Sequence, residues 1–115
     1  MFGFRKKNIE PTELLGIVVN VYSAFYEQYG YDQRLEPKSA LIFITERLKE
    51  GKLLLSESQA KVTAEFCSGV FLFPGDFPAL VKNVMIASKN NNQKEFENAL
   101  GKIYGDMALK GFLIF

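Results

Sequence analysis

Histidine and tryptophan are absent from this chain, cysteine occurs once, and the charges nearly cancel, with 14 Lys and Arg against 13 Asp and Glu. Without histidine there is no imidazole to bind a metal or act as a general base. A single cysteine cannot pair within the chain, which excludes an internal disulfide framework. An unpaired cysteine also fits a reducing compartment better than an oxidising one. A net charge of +1 argues against a dedicated nucleic-acid binder, because phosphate contacts call for a basic excess. Long apolar runs are missing as well. The most apolar stretch, residues 14–26, is broken by Gly16, Asn20 and Ser23, and it falls short of the roughly 20 residues that span a bilayer. The opening residues put Phe2 and Phe4 ahead of Arg5, Lys6 and Lys7, the reverse of a secretory signal. A cytoplasmic location is expected.

What the chain does have is phenylalanine, eleven in 115 residues, and a helical hydrophobic rhythm. That length suits one domain able to bury a core without disulfides or metals. The pattern predicts an all-α fold: a compact antiparallel bundle of five helices, at about 12–29, 38–50, 56–72, 77–89 and 92–109. Short connections between them favour antiparallel neighbours. In the first helix Glu13, Gly16, Asn20, Ser23 and Glu27 form one narrow polar stripe on an otherwise apolar surface. A helix apolar around most of its circumference belongs inside a bundle, so this one is expected at the centre.

Breakers and caps mark the other boundaries. Gly30 and Gly51 are expected helix stops, and Pro37 suits a first helical turn. Ser56 followed by Gln59 reads as a capping box. Pro74-Gly75 is the strongest breaker, with Asp76 as the following cap. Asn92 with Glu95 repeats the capping pattern before the fifth helix. Gly101 and Gly105, four residues apart inside that helix, point to the close approach of another helix. Close packing within the monomer is favoured over a dimer seam.

Charge is uneven along the chain. Residues 1–7 carry +3, residues 8–36 carry −4, and residues 37–52 carry +2. Complementary solvated helix faces account for such runs.

Catalytic chemistry is poorly supplied. Glu46 and Glu50 are surrounded by Arg47, Lys49 and Lys52, and Lys61 lies one turn from both Glu57 and Glu65. Pairs at that spacing support helices and need no catalytic role. Cys67 lacks an activating histidine. No cofactor motif and no metal-ligand constellation is present, and Asp32 with Glu36 falls far short of a calcium loop. The protein is therefore expected not to be an enzyme.

Aromatic surface is better supplied. Tyr22, Tyr26 and Tyr29 occupy one helical face at i, i+4 and i+7, with their hydroxyls expected at the edge of the core. They are candidate anchors for a protein partner. Phe2 and Phe4 at one end, and Phe112 and Phe115 at the other, make the apolar tails (1–4 and 111–115) candidates too. The tails are expected to dock on the bundle, to meet a partner or a second subunit, or, more weakly, to touch a membrane surface beside Arg5, Lys6 and Lys7. The expected function is a small interaction module of adaptor, regulator, chaperone or toxin-neutralising type. The alternative is an enzyme or small-ligand-binding domain with an interhelical pocket, using Asn20, Ser23 or a tyrosine.

Overall fold

The computed structural model describes residues 9–109. They form an all-α bundle of five helices: α1 (Pro11–Tyr29), α2 (Pro37–Glu50), α3 (Glu57–Leu72), α4 (Phe77–Lys89) and α5 (Gln93–Leu109). Among the described residues there is no strand. Phe2, Phe4, Phe112 and Phe115 lie outside this range. Each helix begins and ends within two residues of the boundary expected from the pattern. Pro11 and Pro37 open α1 and α2, where a missing N–H costs nothing and the fixed φ is already helical.

Two cap assignments change. The Ser56 hydroxyl accepts from Gln59 N–H at 3.3 Å, half of a capping box. The Gln59 side chain does not return to Ser56; it turns inward to the backbone of Ile9. Asp76 precedes α4 but makes no side-chain cap. Asn92 does cap α5, its Oδ1 accepting from Glu95 N–H at 3.2 Å. At the end of α2 the left-handed residue is Lys52 (φ 61°), not Gly51. Leu53 N–H reaches back to Leu48 O and Lys52 N–H to Lys49 O, the paired bonds of a Schellman motif.

α1 carries the largest share of the core, with eight of its nineteen residues buried. It packs against α2 and α4, while α3 packs on α2 and α5 on α4. Glu13, Gly16, Asn20 and Glu27 face solvent, but Ser23 is buried. At 100° per residue Ser23 stands about 80° from Glu13, at the margin of the polar stripe. There the neighbouring helices cover it. In α2 the buried residues are Ala40, Ile44 and Leu48, which leaves Ile42 and Phe43 about half exposed. In α3 Gln59, Thr63, Phe66, Cys67 and Val70 turn inward.

Gly101 and Gly105 are exposed, and a methyl group added at either would meet nothing within 4 Å. Among the described residues, the expected close helix approach is therefore absent at both positions. Among the described residues no single helix is long and apolar enough to cross a membrane. Only α3 and α4 taken together pass by length and composition, and they are bent by 102° at their junction.

Candidate functional site

A chain of aromatic rings runs from the core to the surface. Phe66 meets Phe77 edge-on at 5.5 Å between centroids, and Phe77 meets Tyr22 edge-on at 5.1 Å. Tyr22 leads to Tyr26 at 5.9 Å, and Tyr31 stacks on Tyr26 at 5.3 Å. Lys82 covers the Tyr31 ring at 5.6 Å from its centroid. A branch leaves the core through Phe25, 5.7 Å from Tyr26 and 5.0 Å from Tyr29. Edge-on and offset rings are the arrangements the aromatic quadrupole favours.

This arrangement corrects the expected tyrosine ridge. Tyr22 and Tyr26 are buried, and only Tyr29, 59% exposed, reaches the surface. The three share a face of α1, but Phe77 of α4 covers Tyr22, and Tyr26 is enclosed by Tyr22, Phe25 and Tyr31. Tyr29 is the last residue of α1 and extends beyond that cover.

Among the described residues Ser23 Oγ and Thr63 Oγ1 have no hydrogen-bond partner, and the one polar neighbour of the buried Tyr22 Oη is the Cys67 thiol, a weak hydrogen-bonding group. Burial pushes the Tyr22 phenol far above its ordinary range, and the adjoining Cys67 thiol adds to that shift. Burial pushes Tyr26 up to about 12 and Cys67 up to about 11, the latter partly offset by Tyr22. Cys67 is therefore a thiol, not a thiolate, at neutral pH. Asn20 is exposed and Ser23 buried, and neither lines the groove described next.

An open groove of about 470 Å³ lies between α1 and α2. Its apolar wall is made by Val21, Ala24, Phe25, Tyr29, Leu35 and Phe43, and its polar rim by Gln28, Ser39, Glu46, Arg47 and Glu50. Arg47 Nη1 and Glu50 Oε1 approach to 3.8 Å in the open, a separation and exposure at which an ion pair contributes little. Of the expected anchors among the described residues, Tyr29 belongs to this groove, and Tyr22 and Tyr26 do not. Phe25 and Phe43 were not singled out in the sequence. The available signal was in α2, where Phe43 precedes core-facing Ile44 and so must fall off the buried face, between Ile42 and Glu46. A second apolar spot, Leu72 and Phe73, stands at the junction of α3 and α4, with Phe73 76% exposed.

Comparison with protein-family models, with curated protein sequences and with solved structures gave no match.

Proposed function

We propose that this protein is a non-enzymatic interaction module that holds an apolar, basic-flanked segment of a protein partner in the α1–α2 groove. One observation carries the reading: Phe25, Tyr29 and Phe43 line a single open groove whose rim bears Glu46, Arg47 and Glu50. Large aromatic side chains give much contact area at small entropic cost, and they dominate interface energetics. The rim carries Glu46 and Glu50 against Arg47, a net charge of −1, and that small acidic excess favours a segment whose apolar anchors are followed by Lys or Arg, since complementary rim charge steers encounter. Phe25 and Tyr29 are braced by the ring chain behind them, so little of their freedom remains to be lost on binding.

The test is fluorescence anisotropy on the full chain. Its probe is a labelled peptide with two Phe residues spaced by one and followed by Arg-Lys-Lys. The reading expects saturable binding, weakened about tenfold or more by Phe43→Ser and unchanged by Phe73→Ser at the far corner. An acid-flanked peptide of the same length should bind less well. Binding that ignores Phe43, or no saturable binding, overturns the proposal.

A further inference from the structure

The α1–α2 groove and a group able to fill it stand on the same face of the molecule. Resting on the reading above, we infer that the partner is a second copy of this chain, and that two copies meet groove to groove about a twofold axis. Phe43 of each copy enters the other's groove against the partner's Phe25 and Tyr29. Arg47 of each copy meets the partner's Glu46 and Glu50.

Three observations carry this. The first is that the face is bare. Every residue lining the groove belongs to α1, to α2 or, at Leu35, to the connection between them. α3 packs on α2 and α4 on α1, yet neither contributes to the groove. Tyr29, Ile42 and Phe43 are left about half exposed. Large apolar side chains gathered on one face, rather than scattered singly, mark a contact surface.

The second is shape. A twofold contact uses one patch twice, so that patch must carry both a projecting group and the recess that receives it. Here Phe43 stands half out of the surface, at the edge of an open groove of about 470 Å³. The facing wall, on α1, includes Val21, Ala24, Phe25 and Tyr29. Phe25 and Tyr29 lie 5.0 Å apart between centroids. They offer an incoming ring the edge and offset-face contacts that aromatic pairs favour.

The third is charge. A patch that meets itself needs both signs, and this rim carries Arg47 together with Glu46 and Glu50. Within one copy Arg47 Nη1 stands 3.8 Å from Glu50 Oε1, with both side chains exposed. So loose a pair loses little when it is exchanged for a partner's carboxylate. Arg47 follows Phe43 by one helical turn, about 6 Å along the axis. α2 is thus itself an apolar anchor followed by a base, as the groove's occupant must be. The near balance of the rim gives a basic peptide only a small advantage, but it lets two identical rims face each other. The acids left over keep to the solvated edge.

Light scattering and sedimentation of the full chain over a wide concentration range test this. The mass is expected to rise from monomer to dimer and no further, because a twofold contact closes on itself. Phe43→Ser should weaken the association about tenfold or more, and Phe73→Ser should leave it unchanged. Two charge variants make the test specific. Arg47→Glu leaves the rim all acidic, and Glu46→Lys/Glu50→Lys leaves it all basic, so each alone should remain monomeric. Mixed in equal amounts, they should form a dimer of one of each. All four altered positions are exposed, and circular dichroism checks that the helices are intact. A chain that is monomeric at every concentration overturns the proposal. So does a dimer indifferent to Phe43, or a pair of charge variants that stay apart when mixed. The labelled peptide separates this proposal from the reading it rests on. Peptide binding at Phe43 on a chain that stays monomeric removes only the second copy as partner. If the dimer forms through the groove, saturating peptide must return it to the monomer mass. A dimer that persists with peptide bound at Phe43 overturns the proposal, because its contact then lies elsewhere.

Discussion

Gln59 grips Ile9 from both sides: Ile9 N–H donates to Oε1 at 3.0 Å, and Nε2 donates to the Ile9 carbonyl at 2.9 Å. Both residues are buried. The pair fastens the start of α1 to the first turn of α3 across fifty residues of sequence. Replacing Gln59 by Leu would strand a buried donor and a buried acceptor, each worth about 1–3 kcal/mol when unpaired. Urea unfolding of Gln59→Leu should show a loss of about 2–4 kcal/mol. A loss below that range, or none, would mean that the two groups find water and that the clamp is dispensable.

Tyr22 presents the opposite case, a buried hydroxyl whose one polar neighbour is the weakly bonding Cys67 thiol. Tyr22→Phe removes this poorly satisfied group and keeps the ring that packs on Phe77 and Tyr26. The variant should be as stable as the parent or more so, by up to about 1–2 kcal/mol, in thermal or denaturant unfolding. A marked loss would reveal that this hydroxyl is satisfied after all.

The same burial predicts an alkaline weakness. Tyr22, Tyr26 and Cys67 all titrate higher in the folded chain than in the unfolded one. Above the unfolded values the unfolded chain holds fewer protons, so stability falls as pH rises. Cys67 contributes between about 9 and about 11, and Tyr26 between about 10 and about 12. Denaturation followed against pH should be flat with respect to these groups below 9 and should decline above it. Tyr26→Phe should make the decline shallower. An unchanged slope would contradict the burial of that phenol.

Gly101 and Gly105 have open space where a Cβ would stand. Their φ values are not positive, so alanine fits the helix at both. Each change to Ala should stabilise the chain by roughly 0.5–1 kcal/mol through reduced unfolded-state freedom and better helix propensity. If either substitution destabilises, or changes the mass in light scattering, the glycines serve a contact between molecules.

How much of this could be seen in the chain itself differs by level. The helices were legible because their signals are local: Pro37 at a first turn, Ser56 and Asn92 as caps, and a 3.6-residue rhythm in α4 and α5. Gln59 was legible only as a capping residue, because its real partner is fifty residues away. Tyr22 and Tyr26 were placed on the correct face of α1, but exposure depends on which neighbour crosses that face, and the sequence does not state that Phe77 does. The groove required the pairing of α1 with α2. Phe25 and Phe43 acquire meaning only once those two helices lie side by side.

The central claim is that the α1–α2 groove is a docking surface, and amide chemical-shift mapping tests it most directly. The full chain would be titrated with the basic-flanked diaromatic peptide. The account predicts saturable shifts concentrated on residues 21–29 and 35–50, centred on Phe25, Tyr29 and Phe43, with residues 72–73 unmoved. Shifts centred on the Leu72–Phe73 corner, or none at saturating peptide, would contradict it.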